Sequence, residues 1–122
     1  MDSLDTTKAS VLSQIQALSA ECVRSGRDAT EAEPVCKSAA SRAADFIRAL
    51  PEGFPLPEIA PEPDGSISLD WIRSRSRVFS LSVGMSNRLP YAWINDRDSG
   101  HAVAAFDGKN IPPDILERLR AA

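Results

Sequence analysis

Apolar residues recur at helical spacing in the first half of the chain and at every second position in the last half. From Ser3 to about Arg24 there is no glycine or proline, and Leu4, Val11, Ile15, Leu18 and Cys22 follow one another at three-, four- and seven-residue steps. That stripe predicts an amphipathic helix, with Gly26 placed to end it in a left-handed cap. Glu33-Pro34 then marks a second start, because proline in the first turn forfeits no helical hydrogen bond. A second helix is expected from about Pro34 to Leu50, with Cys36, Ala39, Ala40, Ala43, Phe46, Ile47 and Leu50 as its apolar set.

Folded antiparallel, the two helices bring Cys22 level with Cys36, Leu18 with Ala40, Ile15 with Ala43, and Val11 and Leu12 with Ile47 and Phe46. Large residues then face small ones, which allows close approach. Whether Cys22 and Cys36 are bonded does not follow from such adjacency, since a disulfide also requires particular Cα separations and Cβ directions. A hairpin of this size buries little surface alone. It is completed either by the sheet that follows or by a second copy in a four-helix dimer.

Between Asp64 and Gly108 the period changes to two. Ile67, Leu69 and Trp71 alternate with Ser66, Ser68 and Asp70, and Phe79, Leu81 and Val83 alternate with Ser80 and Ser82. One face of a sheet is thereby apolar and the other carries serines. Four strands are expected, at about Ser66–Arg73, Arg77–Gly84, Leu89–Asn95 and His101–Phe106, forming an antiparallel meander. Pro90 marks the third as an edge or an irregular start. A short helix from Pro112-Pro113 to Arg120 closes the chain, with Ile115, Leu116 and Leu119 inward and Arg118 and Arg120 complementing its C-terminal dipole.

Residues 51–65 join the halves and hold five of the nine prolines, at positions 51, 55, 57, 61 and 63. Such a segment favours extended, polyproline-like backbone, and it is read as a semi-rigid tether anchored by Phe54, Leu56 and Ile59. The expected fold class is therefore α+β: a helical hairpin at 1–50, a proline-rich linker at 51–65, and an antiparallel sheet with a C-terminal helix at 66–122, together one compact domain.

A formal charge of −3 gives no bulk attraction to nucleic acid or anionic membrane. The N-terminus lacks the pattern of a secretory signal, and no apolar run approaches the length of a membrane span, so cytoplasmic residence is expected. The two cysteines lack metal-ligand spacing and act as small apolar residues in a reducing compartment.

Arg73, Arg75 and Arg77 crowd the first hairpin tip, where guanidinium groups can fork onto phosphate or carboxylate. Trp71, Tyr91 and Trp93 are the large aromatics of the sheet. They pack the core where helices cover them and form a binding patch where helices do not. These six are the candidate partner-binding residues. His101 is the single histidine, with Asp96 and Asp98 nearby in sequence, but no nucleophile elbow, phosphate cradle or complete calcium loop accompanies it. No catalytic, cofactor-binding or metal-binding residue is assigned.

Asp64-Gly65-Ser66-Ile67-Ser68-Leu69-Asp70-Trp71, Val78-Phe79-Ser80-Leu81-Ser82-Val83, Tyr91-Ala92 and Phe106-Asp107-Gly108 before a proline-initiated helix resemble a pattern in small uncharacterised bacterial proteins. That pattern has a D-G-x-I-x-L-x-W strand, an F-S-x-S-x strand and a closing F-x-G. The resemblance spans about residues 57–119, implies a strand order and a bacterial cytoplasmic setting, and brings no activity, cofactor or site with it. The function expected is that of a non-enzymatic interaction protein, an adaptor or an antitoxin-like or immunity-like partner binder. The alternatives are nucleic-acid contact through Arg73, Arg75 and Arg77, and a small enzyme centred on His101.

Overall fold

Thr7 opens the helical half: its hydroxyl accepts the Ser10 N–H at 3.1 Å and caps the first turn. In the computed structural model, which describes residues 7–25, 32–84 and 86–121, helix α1 runs Lys8–Ser25 and α2 runs Ala32–Ala49. Leu4, at the head of the expected stripe, and Gly26, its expected cap, lie outside the described residues. At the far end of the hairpin the Lys8 ammonium donates to the carbonyls of Arg48 and Leu50, satisfying acceptors that the end of α2 leaves open. That contact sets Lys8 level with Leu50, the antiparallel register read from the sequence. Val11 and Ile15 of α1, and Ala39, Ala40, Ala43, Phe46 and Ile47 of α2, are buried accordingly. Cys22 and Cys36 lie outside the described side chains.

The sheet has five strands, not four. They are β1 Glu58–Pro61, β2 Ile67–Ser74, β3 Arg77–Val83, β4 Arg88–Asn95 and β5 Asp98–Ala105, adjacent in chain order and antiparallel throughout; α3, Pro113–Ala121, follows. The additional strand comes from the proline-rich segment. Extended backbone suits an edge strand, and the Glu62 N–H bonded to Ser66 O at 2.8 Å fixes the hydrogen-bonding phase of this hairpin. Glu58 and Ala60 turn their backbone groups to β2, while Ile59 and Pro61 turn theirs outward. Pro61 therefore has no N–H where none is needed. Gly65, at φ 94°, and the Asp64 carboxylate accepting the Ser66 N–H close the loop.

Pro90 is accommodated by the same logic. Its missing N–H points toward β3, but β3–β4 pairing ends at Leu81 with Tyr91. The last hairpin is tighter than its Asp- and Gly-rich sequence indicates. Asn95 pairs with Asp98, only Asp96 and Arg97 turn, and Asp96 takes a positive φ of 59°. That is why β5 begins at Asp98 and not His101.

The apolar face of the sheet meets the helices. Ile67, Leu69, Trp71, Phe79, Leu81, Val83 and Leu89 are buried with Phe46, Ile47 and Leu50, and Phe106, Ile111, Ile115 and Leu119 close one end. Phe54, Leu56 and Ile59 pack against this core, as expected of anchors in the linker. The serines fall on the opposite face, where Ser68 and Ser80 both donate to Asp70, at 2.6 and 2.8 Å, and Ser82 donates to Glu62 at 2.6 Å.

Candidate partner-binding cleft

Sheet register sets Trp71 opposite Phe79 and Phe79 opposite Trp93, with Tyr91 two residues from Trp93 on β4. Phe106, Phe46, Trp71, Phe79, Tyr91 and Trp93 form a continuous row, with successive centroids 5.4–6.2 Å apart. The row begins under α2 and ends in the open. Trp71 is only 5% exposed and its indole N–H donates to Pro55 O at 2.9 Å. Tyr91 and Trp93, farther along, are half-buried.

Three contacts hold Trp93. Its cross-strand neighbour is Gly100, and a Cβ there would lie 2.6 Å from Trp93 Cζ2, so the ring occupies the space that a side chain would take. Its indole N–H donates to Asp98 Oδ2 at 3.3 Å. The Arg118 guanidinium of α3 stacks 3.5 Å from the ring centroid, a cation–π contact. Arg120, from the same helix, lies 5.7 Å from the Phe54 ring.

Beside this stack a cleft of about 320 Å³ opens, lined by Arg77, Phe79, Tyr91, Trp93, Asn95, Asp114, Glu117 and Arg118 among others. Its size is at the lower end of the range for ligand pockets. Three aromatic rings, two arginines and two carboxylates are among its lining. Such a surface can grip an apolar side chain while pairing charge of either sign around it.

The cleft gathers three of the six candidate residues: Arg77, Tyr91 and Trp93. Arg73 and Arg75 are exposed elsewhere, and Arg73, with Trp71, Ile72, Pro55 and Leu56, borders a shallower depression of about 220 Å³. The arginines part company because Arg77 begins β3 with the in-facing phase of Phe79, whereas Arg73 sits at the register irregularity between Ile72 and Ser74 and Arg75 lies in the turn beyond β2. The arginine turn also leans on its neighbour: Asp96 N–H donates to Ser76 O at 2.6 Å, and Ser76 Oγ to Asp96 Oδ1 at 3.1 Å.

His101 is exposed on the serine face, across from Ala92. Asp98 engages Trp93 on the other face and Asp96 engages Ser76, so both carboxylates have contacts away from the histidine. His101 lines neither depression. Among the described residues there is no group of three or more His, Cys, Asp or Glu fit to hold a metal ion, and no helix is long and apolar enough to cross a membrane.

Asp114, Glu117 and Arg118 are the helical part of the site that sequence reading missed, while in sequence Phe79 and Asn95 read only as strand residues. The three helical residues recur at three- and four-residue steps on α3, beside the buried Ile115 and Leu119. Such a stripe is the sequence signal of one polar helix face. What that face meets is set by the tertiary fold alone. No protein-family model, curated protein or solved structure matches this chain.

Proposed function

We propose that this chain is a non-enzymatic interaction protein whose partner contact is the cleft between β3, β4 and α3. The observation that carries the reading is the aromatic row. It is sealed at Phe46 and Trp71 but opens at Tyr91 and Trp93 between Arg77 and Arg118. Tyrosine, tryptophan and arginine together are the residue types that dominate binding energy at protein interfaces. The stack on Gly100 and under Arg118 holds Trp93 in place before any partner arrives, which lowers the ordering cost of binding. A partner segment that inserts one apolar side chain, with charged flanks, suits this lining.

Selection from a displayed library of random peptides tests the reading. Enriched peptides should bind the wild-type chain and lose at least tenfold in affinity with Arg77→Gln or Arg118→Gln, since losing one charge-assisted contact costs about 1.5–3 kcal/mol. Peptides indifferent to both substitutions would place the contact elsewhere.

Nucleic-acid contact is the second reading, supported by Arg73 and Arg75, which are exposed at the hairpin tip. It requires binding that weakens steeply with salt and that falls when those two arginines become alanine. The turn of Arg77 into the cleft makes this reading the weaker of the two.

A further inference from the structure

The two edges of the sheet differ. Edge β1 is four residues long, ends in Pro61, and is preceded by Pro57 and followed by Pro63, devices that blunt an edge against further pairing. Edge β5 is eight residues long, Asp98 to Ala105, with no proline and no lysine. The Phe106 N–H donates to Asn87 O at 2.8 Å, which fixes the phase of the β4–β5 ladder. Asp98, Gly100, Ala102 and Ala104 turn their backbone groups to β4. Ser99, His101, Val103 and Ala105 turn theirs away from the sheet, and among the described residues no strand pairs with them.

We infer that β5 pairs antiparallel with β5 of a second copy of this chain, joining two five-stranded sheets across a two-fold axis at Ala102. One register uses all four outward residues of each strand: Ser99 opposite Ala105 of the second copy, and His101 opposite Val103. No outward position carries Asp, Glu, Lys or Arg, so no like charges meet along the ladder. The same register brings exposed Arg97 level with exposed Asp107 of the second copy, and by symmetry the reverse, one ion pair at each end. Sliding the strands one step of two residues spoils this. In one direction Arg97 meets Lys109, in the other it meets Ala105 and an outward backbone group goes unpaired. A two-fold contact needs a surface complementary to itself, and this edge meets that requirement in backbone, side chain and charge.

Val103 is 51% exposed on the serine face, and in the pair it packs against His101 of the second copy. The cleft lies on the other face, and the pairing stands whether or not the cleft binds a partner.

Light scattering at low and high micromolar concentration tests the inference. The wild-type chain is expected to shift toward twice its 13.2 kDa mass as concentration rises. Val103→Pro removes an outward N–H while leaving the β4 ladder intact, and this variant is expected to stay monomeric with an unchanged circular dichroism spectrum. A wild-type monomer at high concentration, or a dimer that survives Val103→Pro, overturns the inference; the second result would instead fit pairing through the helical hairpin. Should Val103→Pro fail to fold, Ala102→Cys in a chain with Cys22 and Cys36 replaced by alanine decides. Ala102 meets its own copy at a non-hydrogen-bonded position, with Cα atoms about 4.5 Å apart, inside the range of a disulfide. Mild oxidation should cross-link that variant into a dimer, and no cross-link would overturn the pairing.

Discussion

Trp93 lies against the backbone of Gly100 so closely that a methyl group on the glycine would sit 2.6 Å from Cζ2 and 2.8 Å from Cη2 of the indole. The pair shows how local sequence makes the site: a glycine in mid-strand weakens the strand, and the ring from the neighbouring strand covers the gap.

Gly100→Ala should therefore displace the indole. Overpacking costs about 1–3 kcal/mol, and the loss should appear as a lower urea midpoint together with a change in tryptophan fluorescence. A variant as stable as the wild type with an unchanged spectrum would show that the ring does not rest there.

Phe46 joins the halves. It is fully buried on α2 and meets Trp71 of β2 edge-on at 6.2 Å and Phe106 at 5.5 Å. Phe46→Ala should cost about 3–5 kcal/mol and collapse hairpin and sheet in a single transition. Two separated unfolding steps by circular dichroism and fluorescence would instead mean that the halves are independent domains.

Asp107 gives the fold an acid-sensitive turn. Its carboxylate accepts the N–H groups of Asn110 and Lys109, both at 2.8 Å, and these bonds, Asn110's foremost, hold its pKa below the ordinary carboxylate value. A lowered folded-state pKa contributes stability above the unfolded value, and the contribution is lost as pH falls through the folded one. Asp107→Asn should therefore melt slightly below wild type at neutral pH, with the difference closing below the carboxylate range. A difference that is constant with pH would rule out this linkage. Asp64 is lowered in the same way by Ser66.

Much of this architecture is legible in residue order. The three-and-four spacing of Val11, Ile15, Ala39, Ala43, Phe46 and Ile47 gave both helices and their facing sides, and the alternation from Ile67 to Val83 gave two strands and the dry face. Glu58–Pro61 was hidden because proline count outweighs alternation in so short a run. Only its partner Ile67–Asp70 reveals it as an edge. The site was half legible. Tyr91 and Trp93 stand out by type and Arg77 by its neighbours, but Arg118 reaches the ring from a helix that follows another strand and a loop, and no local pattern encodes that meeting.

The most direct test of the cleft is the pair of indole N–H signals in a nitrogen-15 NMR spectrum, one from each tryptophan, titrated with a selected peptide. Trp93 Nε1–H should shift on binding, while Trp71 Nε1–H, bonded to Pro55 O in the core, stays in place. A bound peptide that leaves the Trp93 signal unmoved would contradict the account.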